Sequence, residues 1–252
     1  MLRLWLVLPA YNEGPNLPGL LQDLVLLVEE NADLDLRIII VDDGSTDDTF
    51  AVAQRPPPTL AVQVLQNPRN LGLGETFRRG MLHAMAQAAP RDIVVTMDAD
   101  HTHLPGLILR MVRAVREGRD VVIASRFQSG SITRGVPAHR QVLSVGMSVL
   151  FRGLLPIDGV RDFSCGYRAY RAGILQEAQR RYGDRLFAQQ GFVCMVDTLV
   201  KLDEMGALFG EVPLVLRYDQ KRGPSKLPVA STVAGTLKLL ARARLERFSK
   251  GR

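Results

Sequence analysis

Asp92-Ile93-Val94-Val95-Thr96-Met97-Asp98-Ala99-Asp100 is a short apolar, β-branched run that breaks off into two carboxylates. The run reads as a buried strand. In an open α/β sheet, ligands bind where the carboxyl ends of the strands emerge. Residues i and i+2 of a strand face the same way, so Asp98 and Asp100 are expected side by side. Two neighbouring carboxylates repel each other unless a cation lies between them. Mg²⁺ or Mn²⁺ accepts carboxylate oxygens and leaves positions for substrate phosphates. A polar strand exit is the plainer reading, and Asp-x-Asp alone does not decide between the two.

The flanking sequence repeats the pattern. Residues 5–8 form a first apolar strand that stops at Pro9-Ala10-Tyr11-Asn12-Glu13. A helix is expected over residues 17–30, with Leu20, Leu21, Leu24, Leu27 and Val28 at helical spacing. A second strand, residues 36–41, ends at Asp42-Asp43-Gly44-Ser45-Thr46-Asp47, where Ser45 or Thr46 is placed to cap a helix. A third strand over 60–65 precedes a Gly-rich loop at 67–74 and a helix over 75–88. Beyond the Asp-Ala-Asp strand come a helix near 104–117 and a strand at 120–125. This alternation predicts an α/β fold, a mostly parallel Rossmann-like sheet flanked by helices. Its parallel strands end in acidic clusters on one edge, which favours a ligand site. A hydride-transferring dinucleotide enzyme is discounted. Its G-x-G-x-x-G should follow strand one, whereas Gly72-Leu73-Gly74 follows strand three and Phe77 takes the third glycine's place.

The bulk properties agree with a globular chain: 252 residues, 46% hydrophobic and 23% charged. The N-terminus reads as a strand rather than a signal peptide, and no apolar run is long enough to span a bilayer. Cys165 and Cys194 make neither a metal spacing nor a disulfide framework and read as core thiols in a reducing, cytosolic setting. Net charge is +6, and residues 230–252 alone hold six cations against one acid. The basicity is therefore largely a tail property, suited to an anionic surface.

Several motifs now line up. Pro9-Ala10-Tyr11-Asn12-Glu13, Val41-Asp42-Asp43-Gly44-Ser45, Asn70-Leu71-Gly72-Leu73-Gly74 and Met97-Asp98-Ala99-Asp100 have the order and spacing of family 2 glycosyltransferases with the GT-A fold, which the chain resembles. Gly159-Val160-Arg161-Asp162-Phe163-Ser164-Cys165-Gly166-Tyr167-Arg168, Gly210-Glu211-Val212-Pro213 and Ser225-Lys226-Leu227 resemble the dolichol-phosphate (polyprenyl-phosphate) mannosyltransferase-like branch. The resemblance implies a catalytic domain over residues 1–228, followed by a basic amphipathic helix at 229–252 without a transmembrane span.

It also implies roles. Pro9, Tyr11, Glu13, Asp42, Asp43 and the loop ending at Gly74 hold the nucleoside of a nucleotide sugar; carboxylates suit ribose hydroxyls and base N–H donors. Asp98 and Asp100 hold Mg²⁺ or Mn²⁺ and, through it, the diphosphate, whose developing charge the ion neutralises, and Ala99 between them belongs to the nucleotide-sugar site. Arg126 faces a phosphate, Arg140 lies near an acceptor phosphate, and Lys226 closes a loop over the donor. Thr102 stands where members often carry a Gln ligand, so its hydroxyl is a weak or water-mediated third ligand. Gln220, beside Lys221 and Arg222, stands where the closing loop usually has Arg. His103 matches a family His and serves either as a helix cap or as a ligand. Asp197 replaces a family Glu.

The implied reaction is metal-dependent, inverting transfer of a hexose, mannose first, from a nucleotide sugar (GDP-mannose or UDP-glucose) to a polyprenyl phosphate. A phosphate acceptor needs no general base. A hydroxyl acceptor, on a lipid or glycan, would need one, and Asp162 and Asp197 are the candidates. A non-catalytic nucleotide-sugar sensor is a further alternative. Residues 138–155 and 229–248 are amphipathic and expected at a bilayer surface, which places the protein peripherally on the cytoplasmic face of a membrane. Nucleic-acid binding is not expected, because the basic tail has no interleaved aromatics beyond Phe248.

Overall fold

The computed structural model describes residues 2–220; Lys226 and the basic segment over 229–252 lie outside the described residues. β1 (Leu2–Ala10) is buried from Leu4 to Leu8 without alternation. β2 (Leu34–Asp42) is likewise buried from Ile38 to Asp42. Continuous burial of this kind is expected of strands covered on both faces by helices. β3 (Ala61–Gln66), β4 (Ile93–Thr96), β5 (Val121–Ser125), β7 (Arg168–Arg171) and β8 (Phe209–Pro213) complete a seven-stranded sheet in the order β3-β2-β1-β4-β7-β5-β8. Only β7 runs antiparallel to its neighbours β4 and β5. A parallel pair, β6 (Ile132–Arg134) and β9 (Val215–Arg217), forms a second small sheet.

The helices follow their apolar spacing. α1 (Leu17–Glu29) buries Leu17, Leu20, Leu21, Leu24, Val25 and Leu27. α3 (Leu73–Gln87) lies on β1 and β2, and Gly80 permits the contact: a Cβ there would come within 2.5 Å of Val7 Cγ1. α4 (Leu107–Arg116) covers β5 and β7. α2 (Thr49–Ala53), α5 (Ala138–Leu154), α6 (Ala172–Tyr182) and α7 (Val193–Asp203) complete the described α-helices.

Two expectations about caps are corrected. α2 starts at Thr49, so neither Ser45 nor Thr46 caps it; Ser45 Oγ instead accepts the Asn12 N–H at 2.9 Å. α4 has Gly106 at its N-cap, so His103 is no helix cap.

The topology positions the site. From β1 the chain moves outward through β2 to β3, then returns to β4 on β1's other side. That reversal opens a crevice at the carboxyl ends of β1 and β4. Pro9 to Glu13 emerge from the first and Asp98 to Asp100 follow the second.

Candidate active site

A cavity of about 550 Å³ occupies that crevice, within the usual range for a small-molecule site. Pro9, Tyr11, Glu13, Asp43, Asp98, Ala99, Asp100, Thr102 and Arg126, all nominated from sequence, line it together. Asp42, Gly74, Asp162 and Asp197 do not. Arg140 falls within α5, and its side chain is outside the described set.

The Gly-rich wall of the cavity is built on Asp43. One carboxylate oxygen accepts the Leu71 N–H and Asn67 Nδ2, at 2.9 and 2.8 Å; the other accepts the Gly72 N–H at 2.9 Å. The carboxylate therefore draws the Gly-rich loop against the end of β2, and Gly72 supplies the positive φ of 88° at the turn into α3. Asp42 is fully buried and accepts the Ser45 N–H and Gln66 Nε2, which makes it a brace behind the wall. Gly74 also acts by packing: a Cβ would meet Gln189 O at 2.5 Å. Glu13 accepts Asn16 Nδ2 at 2.7 Å, while its own N–H donates to Thr49 Oγ1.

β4 stops at Thr96, so Asp98 and Asp100 stand on a bend beyond the strand rather than at i and i+2 of it. They still face one cavity. His101 adopts a left-handed φ of 60°, and its Nε2 is paired with Asp23 Oδ2 on α1 at 2.8 Å. Thr102 donates both its N–H and its hydroxyl to Asp100 Oδ1, the latter at 2.7 Å. The hydroxyl thus orients the carboxylate. Among the described residues no three His, Cys, Asp or Glu side chains group as an enclosed metal cage. Two carboxylates at an open cavity fit a hard divalent ion whose other positions go to phosphate oxygens and water.

Arg126 and Asp162 form an ion pair beside the cavity. The guanidinium donates Nε and Nη2 to the two carboxylate oxygens at 2.8 and 2.7 Å, and Nη2 reaches Ser164 Oγ. Asp162 also accepts the Arg126, Ser164 and Cys165 N–H groups. Burial would raise the Asp162 carboxyl, but Arg126 and these N–H donors outweigh it and hold it below the ordinary carboxylate range. Burial likewise opposes the Arg126 charge, and the Asp162 field outweighs it, so the guanidinium stays protonated. Fully buried and saturated with donors, Asp162 positions Arg126 and has no lone pair for a proton from an acceptor. Asp197 is paired with Lys201 within α7. Burial pushes the Cys165 thiol up to about 12, which fits an inert core thiol.

Sequence reasoning left Arg168 without a role. It is completely buried, and its guanidinium donates to Cys165 O, Met195 O and Phe163 O at 2.7, 2.6 and 2.7 Å. It holds the 163–166 loop, which supplies Ser164, Cys165 and Gly166 to the cavity, against α7. Its place at the end of the Cys165-Gly166-Tyr167-Arg168 motif was the available signal.

A mostly parallel sheet with one antiparallel strand, and acidic strand ends around a cavity at its switch point, defines a GT-A-type α/β protein. The Glycosyl transferase family 2 model matches residues 5–178, and the chain belongs to that family; it is a glycosyltransferase. It is 31% identical to the polyprenol monophosphomannose synthase of Mycolicibacterium smegmatis over 229 residues, 89% of this chain and 81% of that protein. It is 29% identical to the dolichol-phosphate mannosyltransferase of Pyrococcus furiosus, spanning 90% of this chain and 59% of that protein. Two solved structures share the fold. Glucosyl-3-phosphoglycerate synthase from Mycobacterium tuberculosis, crystallised with Mn²⁺, UDP and glucosyl-3-phosphoglycerate, aligns with a TM-score of 0.62 at 23% identity, over 97% of this chain and 79% of that one. Mannosyl-3-phosphoglycerate synthase from Rubrobacter xylanophilus gives 0.64 at 21% identity, over 99% and 75%.

Proposed function

We propose that this protein transfers mannose from GDP-mannose to a polyprenyl phosphate at a membrane surface. The observation that carries the reading is the pairing of the two mannosyltransferase relatives with the Asp98–Asp100 cavity. Tyr11, Glu13 and the Asp43-braced loop hold the nucleoside, Asp98 and Asp100 hold Mg²⁺ or Mn²⁺, and Arg126 faces a phosphate. The ion supplies positive charge to the departing diphosphate. A phosphate oxygen of the acceptor attacks the anomeric carbon, and the bond to the diphosphate breaks with its electron pair leaving on GDP. One in-line displacement inverts the anomeric centre. No proton has to be removed from the nucleophile. That agrees with Asp162 and Asp197, the two bases nominated for a hydroxyl acceptor, both lying off the cavity lining.

Membrane contact is supported by α5. Val142, Val145 and Val149 share one face at spacings of three and four and are 72%, 51% and 55% exposed. No described helix is long and apolar enough to cross a bilayer. An exposed valine stripe on a helix carrying Arg140 and Arg152 suits the headgroup boundary. The test is a panel of radiolabelled nucleotide sugars incubated with a short polyprenyl phosphate and Mg²⁺ or Mn²⁺. Label is expected in the organic phase with GDP-mannose and metal together. Label from another donor corrects the sugar; none from any donor, with nucleotide still bound, would favour a sensor.

A further inference from the structure

Two locally unfavourable features of the chain meet at one contact. His101, between Asp100 and Thr102, holds a left-handed φ of 60°, which a residue with a Cβ rarely adopts. α1 has Gly19 in its first turn, where alanine would form helix better. The two fit each other. A Cβ at position 19 would meet His101 Cε1 and Nδ1 at 2.9 Å, so the missing side chain makes the seat for the ring. Seated there, His101 donates Nε2–H to Asp23 Oδ2, one turn further along α1, at 2.8 Å. The imidazole is not part of the cavity lining, so it meets no ligand itself.

The contact ties together two loops that leave different strands. The Glu13 carbonyl accepts the Asn16 and Leu17 N–H groups at 2.9 and 2.8 Å, so α1 is continuous with the loop that presents Tyr11 and Glu13. His101 stands on the bend that presents Asp98 and Asp100. Both loops line the same cavity. We infer that His101 and Asp23 are a positioning pair: they hold the Asp98–Asp100 bend at a fixed distance from Tyr11 and Glu13, so that one nucleotide reaches the nucleoside wall and the metal ion together. This rests on reading the cavity as a metal-dependent nucleotide-sugar site.

The test is calorimetric titration of GDP and UDP, with and without Mn²⁺, into the wild type, Asp23→Ala, Asp23→Asn and Gly19→Ala, beside thermal unfolding without ligand. In Asp23→Ala the preferred nucleotide should bind about fivefold more weakly with Mn²⁺, within the scale of one hydrogen bond to a charged group, and as tightly as wild type without it. Asp23→Asn keeps an acceptor for Nε2–H and should recover most of that loss. Gly19→Ala pushes the ring off its seat without removing a charge. It should show the same Mn²⁺-dependent loss while its unliganded melting temperature holds or rises, since a helical glycine is replaced. A merely structural contact would move melting and leave the metal dependence alone. Unchanged Mn²⁺-dependent affinity in Asp23→Ala overturns the inference, as does an equal loss with and without the metal. A wild type that binds neither nucleotide, or binds no better with Mn²⁺, overturns the reading of the cavity itself.

Discussion

Asp43 shows how much one carboxylate organises here. Three donors converge on it, two of them main-chain N–H groups of the Gly-rich loop in the cavity wall. Asp43→Ala strands those donors and should lower unfolding free energy by about 3 kcal/mol in urea titrations, with weaker nucleotide binding. Unchanged stability would mean the loop holds without it. Asp162 carries a pH dependence. Its folded carboxyl lies below the ordinary range of about 4 and its unfolded one within it, so its contribution is complete above that range and is lost as pH falls through the depressed native value. Asp162→Asn should therefore cost about 3 kcal/mol at neutral pH, with the gap to wild type closing as pH falls below the ordinary carboxylate range. The sequence marked both residues as polar and well placed. Which one lines the cavity and which one braces a neighbour depends on donors 24 to 36 positions away, and spacing carries no trace of them.

At the scale of elements, the Gly-rich loop and α3 depend on close approach. Gly74→Ala would drive a methyl to 2.5 Å from Gln189 O and 2.9 Å from Gln190 Cα, which are backbone atoms that do not swing away. Melting should fall with a cost of about 1–3 kcal/mol, and nucleotide affinity with it, because Gly191 and Phe192 line the cavity next door. α5 offers the opposite kind of test. Val145→Asp should leave melting unchanged while weakening sedimentation with anionic phospholipid vesicles roughly tenfold; undiminished vesicle binding would place the membrane contact elsewhere. The strongly apolar strands β1, β2, β4 and β5 and the periodic helices were readable to within a few residues. β7 was not. It is four residues long, begins and ends in arginine, and its Arg168 is tolerable in a core only because three carbonyls meet its guanidinium.

For the whole molecule, the alternation of strands and helices was enough to predict a parallel sheet, and the acidic strand ends pointed to one edge of it. The order of the strands was not readable, because β7, β8 and β9 come from a stretch with weak periodicity and pair with partners distant in sequence. That order matters for function: it puts the switch point between β1 and β4 and brings Glu13, Asp43, Asp98, Asp100 and Arg126 around one cavity. The central claim is that this cavity passes a sugar to a phosphate nucleophile with help from a metal ion and no base. The most direct test compares transfer of mannose from GDP-mannose to polyprenyl phosphate and to the polyprenol of equal chain length, by wild type and by Asp100→Ala. The account predicts product from the phosphate alone, only with metal, and a loss of at least about a hundredfold in Asp100→Ala. Comparable transfer to the polyprenol, or undiminished transfer by Asp100→Ala, would contradict it.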